Sequence, residues 1–161
     1  MRTAAPAAGI DLQAAQEADA RRMDAIARRV SFMTETVMSD TARWLKFFQR
    51  ARQAGYHIAL YFVTTADPAI NVARVAARVV LGGHAVPENR IRSRYVKVMD
   101  ESLPAMLPLC DRALLFDNSA VEHGPLMIAE YLNHRLQQSP DADTSRLALW
   151  LAQLQGKLGP T

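Results

Sequence analysis

The chain has 161 residues, half of them apolar, a single cysteine and a formal net charge of +3. That is enough apolar material for the core of one domain. No apolar run approaches the roughly 20 residues of a membrane span, and one cysteine cannot close an internal disulfide. The positive charge suits an anionic small molecule. It is dispersed and lacks the aromatic-and-basic interleaving of a nucleic-acid surface, so neither nucleic acid nor a membrane is expected as a partner.

Residues 1–10 read as a disordered lead-in and 11–161 as one domain. Met1 to Gly9 is Ala/Pro-rich without an apolar centre, so no secretion signal is read there, and the expected compartment is the reducing cytoplasm. Asp11 is positioned to cap a helix running to about Arg29, whose outer side carries Glu17, Asp19, Arg21, Arg22 and Arg28 as an ordinary solvated face. Ser31 to Thr34 reads as a short strand that delivers Glu35 and Thr36 to its end. Ser39 or Asp40 caps the next helix, which carries Trp44, Leu45, Phe47 and Phe48 and stops at Ala54-Gly55. His57 to Val63 is an apolar run without alternation, the pattern of a strand buried on both faces of a parallel sheet. Asp67-Pro68 is a helix start with Asp as cap and Pro at the first position. That helix should bury Ile70, Ala73, Ala76 and Ala77 with Val79 or Val80.

The stretch Arg74 to Tyr95 is the most suggestive in the chain. A helix with Arg74 and Arg78 breaks at Gly82-Gly83 and passes His84. It restarts at Pro87 as a helix with Arg90, Arg92 and Arg94, running to about Met99. Two surface helices joined by a turn would have this pattern. So would a mobile cationic flap that closes guanidinium groups over an anion. Pro104 and Pro108 break up the next segment, where Cys110 sits beside Leu107 and Leu109 as a core residue. Ala113 to Phe116 is a further buried strand ending in the turn Asp117-Asn118-Ser119. Leu126 to Gln138 fits a hairpin or one helix, the hairpin being preferred. Asp141 to Asp143 is a linker, and Thr144 or Ser145 caps a last helix. The histidines are scattered and no metal-ligand spacing occurs.

Helices alternating with strands imply an α/β fold with a parallel sheet. Ligands of such sheets sit beyond the carboxyl ends of the strands, which is where Glu35-Thr36, Thr64-Thr65 and Asp117-Asn118 fall. A triphosphate-binding loop G-x-x-x-x-G-K-[ST] is absent from these residues. The only Gly-Lys, Gly156-Lys157, lacks the partner glycine and follows a helix.

Five segments in order resemble the zeta-toxin-like P-loop kinases, in particular the group described as predicted ABC-type ATPases. They are F-M-T-E-T-V-M-S (Phe32 to Ser39), A-G-Y-H-I-A-L-Y-F-V (Ala54 to Val63), N-V-A-R-V-A-A-R-V (Asn71 to Val79), G-G-H-A-V-P-E-N-R-I-R-S-R-Y (Gly82 to Tyr95) and L-F-D-N-S (Leu115 to Ser119). The resemblance implies a P-loop kinase-like three-layer sandwich with a parallel sheet, truncated at its N-terminus, where the first strand and phosphate loop would lie. It implies an ATP- and Mg²⁺-dependent phosphotransferase acting on a hydroxyl of a small substrate such as a UDP-sugar, and an antitoxin protein as partner.

By matching motif, Glu35, Thr36 and Ser39 line the substrate pocket. Arg78 and an arginine among Arg90, Arg92 and Arg94 grip phosphate, with Arg92 and Arg94 favoured. Gly82, Gly83, His84 and Arg90 belong to the lid, and Asp117 and Asn118 to the nucleotide side. Neither the loop lysine nor the family's base aspartate has a counterpart here. The same residues are therefore also compatible with a non-catalytic module that binds a sugar nucleotide or a partner protein. Without a first strand, an edge or face of the sheet should lie open, to be covered by the lead-in helix or by self-association.

Overall fold

The computed structural model describes residues 7–122, 124–140, 142 and 145–159, with side chains from residue 13 onward. Four strands form one sheet in the order β1-β2-β3-β4: β1 Ala59–Thr64, β2 Arg112–Asp117, β3 Leu126–Leu132 and β4 Arg135–Gln138. β1 and β2 run parallel, Ala59 opposite Arg112 and Thr64 opposite Asp117. The other two pairings are antiparallel, so the sheet is mixed and not wholly parallel as expected. The cause is local. Asn133 and His134 both take left-handed φ values, 51° and 61°. A two-residue turn of that kind has the twist of its flanking strands and folds the tail back as a hairpin.

Among the described residues the α-helices are α1 Ala7–Arg28, α2 Thr41–Gln53, α3 Pro68–Val80, α4 Glu88–Lys97, α5 Leu103–Met106 and α6 Ala148–Leu158. α1 starts before Asp11, in an alanine-rich stretch that favours helix. Residues 7–10 are therefore helical and Asp11 is not the cap; residues 1–6 lie outside the described residues. Asp40 caps α2 by accepting from the Arg43 N–H at 3.2 Å. Asp67 caps α3 by accepting from the Ala69 N–H at 2.7 Å, with Pro68 at the first position. α6 begins at Ala148 without a side-chain cap. The Ser145 hydroxyl instead donates to Asp117 at 2.6 Å and accepts from the Leu147 N–H at 3.1 Å. Thr144 lies outside the described residues.

Pro104 and Pro108 do not break the segment after α4. It continues through a π-helical stretch, Val98–Ser102, into α5 and a 3₁₀ turn, Leu107–Leu109. The Leu103 N–H reaches back five residues to the Val98 carbonyl. Pro104 has no N–H to give to the Asp100 carbonyl four residues behind it. The Lys157 ammonium of α6 takes that place, donating to the Asp100 carbonyl and carboxylate, both at 3.1 Å.

The core lies on one face of the sheet. Phe62, Ala113, Leu115, Ala129 and Tyr131 share one cluster with Trp44 and Phe48 of α2, with Val98, Met99, Leu103, Met106 and Leu107, and with Leu151 and Leu154 of α6. On the opposite face Tyr61 is 67% and Val63 52% exposed, Leu114 and Phe116 are half-buried, and Arg112 pairs with Glu130 at 2.6 Å. β1 is therefore buried on one face only, and the arrangement is two-layered where three layers were expected. α1 does not cover the open face. It runs against α2 and the following segment, where the Tyr56 hydroxyl donates to the Ala25 and Val30 carbonyls.

Ser31 to Thr34 forms no strand, because no strand lies beside it to complete a ladder. It is held by side chains: Phe32 packs edge-on against Phe47 and Tyr56, and Arg22 donates to the Thr34 hydroxyl at 3.1 Å. α3 buries no residue. Val80 is 86% exposed, and of the helices α3 packs chiefly against α4.

Candidate functional site

The entry to α2 forms the floor of a surface cavity. The Thr36 hydroxyl accepts from the Met38 N–H at 2.9 Å, and Met38 takes a left-handed φ of 58°. This tight turn directs Glu35 to Ser39 outward before Asp40 starts the helix. The Thr41 hydroxyl bonds the Ser102 hydroxyl at 2.7 Å, fixing the start of α2 to the π stretch. α4 is fixed from its other side. The Tyr95 hydroxyl donates to the Thr65 carbonyl at 2.7 Å, at the carboxyl end of β1. Burial pushes the Tyr95 phenol above its ordinary pKa, with help from Asp67, so it stays a donor. Arg94, one residue before that anchor, is placed beside the α2 entry.

The resulting cavity has a volume of about 340 Å³ and is lined by Glu35 to Asp40, Arg43, Trp44, Arg22 and Arg94. Four residues expected from the sequence therefore meet: Glu35, Thr36, Ser39 and Arg94. Glu35 is exposed. Arg94 is half-buried and has no ion-pair partner among the described residues.

The other expected residues lie elsewhere. Arg92 donates to Glu88 at 2.8 Å along the outside of α4, and Arg78, His84 and Arg90 are exposed and do not line the cavity. Gly82 and Gly83 form the stop of α3: the Gly82 N–H bonds the Val79 carbonyl and the Gly83 N–H the Arg78 carbonyl, both at 3.0 Å. Gly82 takes φ +90°, and a Cβ on Gly83 would lie 2.8 Å from the Arg78 side chain. Both positions thus require glycine for a hydrogen-bonded helix end. Asp117 is buried and engaged with Ser119, through its N–H at 2.8 Å and hydroxyl at 2.5 Å, and with Ser145. The Asn118 N–H bonds the Thr64 carbonyl at 2.7 Å. This turn joins the strand ends.

The sequence reading missed Arg22, Arg43 and Trp44. Arg22 looked like part of a solvated face, yet its side chain is only 13% exposed, with its guanidinium 5.3 Å from the Trp44 ring centre. Asp19 accepts from both Arg22 and Arg43. The Arg43 guanidinium, and then that of Arg22, hold the Asp19 carboxyl below its ordinary range. The i,i+3 spacing of Asp19 and Arg22 was visible in the sequence; the reach of Arg43 from α2 was not. Cys110 is no nucleophile: burial pushes its thiol up to about 12.

Gly156-Lys157 lies within α6 with its ammonium on Asp100, and the Asp117 carboxylate is satisfied internally. Among the described residues no cluster of His, Cys, Asp and Glu could hold a metal ion. Nor is any described helix long and apolar enough to cross a membrane.

The architecture is thus an α/β protein with an arginine-lined pocket at the entry to α2. Residues 12–106 match the family model for zeta toxin, and the chain belongs to the zeta toxin family. Membership points to an ATP-dependent, kinase-like function. The match includes most of α1, which the five segments did not, and stops short of Asp117-Asn118. No curated protein and no solved structure matches the chain.

Proposed function

We propose that this chain supplies the acceptor-substrate pocket of a zeta-toxin-like ATP-dependent phosphotransferase. Its ligand is a small molecule carrying both hydroxyl groups and negative charge, of the UDP-sugar class. The observation that carries this reading is the convergence of Glu35, Thr36, Ser39 and Arg94 on one cavity. A free carboxylate accepts hydrogen bonds from sugar hydroxyls, Thr36 and Ser39 add hydroxyl donors, and Arg94 offers charge to a phosphate. Phosphoryl transfer depends on positioning and electrostatics, and this pocket accounts for positioning of the acceptor. In a second reading the same pocket binds a sugar nucleotide without turnover.

Thermal unfolding with UDP-N-acetylglucosamine, with Mg-ATP, and with both separates these readings. A ligand at a hundredfold its Kd stabilises by about 2.7 kcal/mol, a rise of roughly 5–10 °C in a domain of this size. A shift with the sugar nucleotide that Glu35→Gln abolishes supports the pocket; no shift with it refutes the reading. A further shift with Mg-ATP, followed by ADP release, supports transfer. Its absence supports the binding module.

A further inference from the structure

Asp19, Arg22 and Arg43 form an ion cluster that the substrate reading does not use. Asp19 and Arg22 project from α1 and Arg43 from α2. One carboxylate bridges the two guanidinium groups, one oxygen to each. Both arginines also line the cavity that holds Glu35 and Arg94. Arg22 is fixed on three sides, by Asp19, the Thr34 hydroxyl and the face of Trp44. Arg43 is freer, 45% exposed at its side chain, and its backbone N–H is engaged by Asp40. Arg94 faces the same space from α4 without an ion-pair partner among the described residues. Three arginines from three helices therefore surround one hollow, and a carboxylate of the protein itself occupies two of them.

We infer that Arg22, Arg43 and Arg94 form a binding site for a phosphate-type oxyanion, and that Asp19 is a resident counter-ion which the ligand displaces from Arg43. This rests on the substrate reading above and assigns the charged end of that ligand to residues outside the Glu35-Thr36-Ser39 floor. The chemistry is that of exchange. A guanidinium offers its paired N–H groups to a carboxylate or a phosphate alike, and a phosphate oxyanion presents more acceptor oxygens and more charge than Asp19. Arg22, packed on Trp44, keeps its place while Arg43 turns from Asp19 to the ligand. Because Asp19 lies on α1, binding loosens the link between α1 and α2. Asp19 is then a positioning residue that sets affinity by competition.

Calorimetric titration with inorganic pyrophosphate, on the whole chain and its variants, tests this. Asp19→Asn should bind pyrophosphate about two- to fivefold more tightly than the unaltered chain, the size expected for removing a half-exposed competing ion pair. Arg43→Gln and Arg94→Gln should each weaken it by at least tenfold, while Arg112→Gln, on β2 and outside the cavity, should leave it unchanged. Should Asp19→Asn not fold, hydrogen exchange on the unaltered chain gives the answer: pyrophosphate should speed exchange of the α1 amides. Equal or weaker binding by Asp19→Asn, or unchanged α1 exchange, overturns the displacement. UDP-N-acetylglucosamine binding without pyrophosphate binding overturns this site alone. Loss of both ligands overturns the substrate reading with it.

Discussion

The packed side of the molecule and the α3–α4 arm are built on opposite terms. In the packed side, Leu103, Met106, Leu107, Leu115, Ile128 and Leu151 are fully buried between helices and sheet. In the arm, neither helix buries a residue, and Val80 and Leu81 are 86% and 87% exposed. The arm is tied to the sheet by a directed bond, the Tyr95 hydroxyl on the Thr65 carbonyl. Burial fixes the frame that carries Glu35 to Asp40 and Arg43, while Arg94 arrives on a helix that buries no residue. Segments with few buried contacts open at lower free energy than the core around them. The pocket thus joins a rigid wall to a more easily displaced one.

The comparison breaks most readily in the core. Leu103→Ala should lower stability by about 2–5 kcal/mol, read as a fall in the urea midpoint at unchanged slope. An intermediate effect is expected at the seam between α2 and β1. There Asp111 accepts from the Ile58 N–H at 2.7 Å and pairs with Arg52 at 2.5 Å. The Ile58 N–H, and then Arg52, hold its carboxyl below the ordinary range. A depressed folded pKa adds stability that is fully present above the unfolded value near about 4 and is lost as pH falls through the folded value. Urea midpoints measured from neutral pH down through that window should fall, and less steeply for Asp111→Asn. An equally steep fall in the variant would rule out this role. The smallest effect belongs to the arm: Leu81→Ser should change stability by no more than about 0.5 kcal/mol. A large loss there would mean that the arm is covered in solution.

Local chemistry was legible in the sequence. Asp67-Pro68 started a helix, Gly55 ended one, Asp40 capped one, and Asn133-His134 turned a hairpin, because each depends on residues within a few positions. The features that failed need distant partners. Ser31 to Thr34 has strand composition but no neighbouring strand. His57 to Val63 has the apolar content of a doubly covered strand, yet Tyr61 and Val63 face outward. At the site, the floor residues and Arg94 were legible from their motifs. Arg22, Arg43 and Trp44 were not, since their meeting depends on how α1 lies along α2.

The π stretch at Val98–Ser102 has a geometric consequence. One residue of an α-helix corresponds to about 100° of rotation, and a π turn takes up one residue more than an α turn. If these five residues relaxed to ordinary α geometry with α5 held in the core, α4 would swing around its own axis by about that angle. Arg94 would leave the cavity and Tyr95 would lose Thr65, with no change in either side chain. The angular setting of the pocket's movable wall is therefore written in a short length of backbone outside it, pinned by the Thr41–Ser102 hydroxyl pair at one end and by Lys157 on Asp100 along its flank.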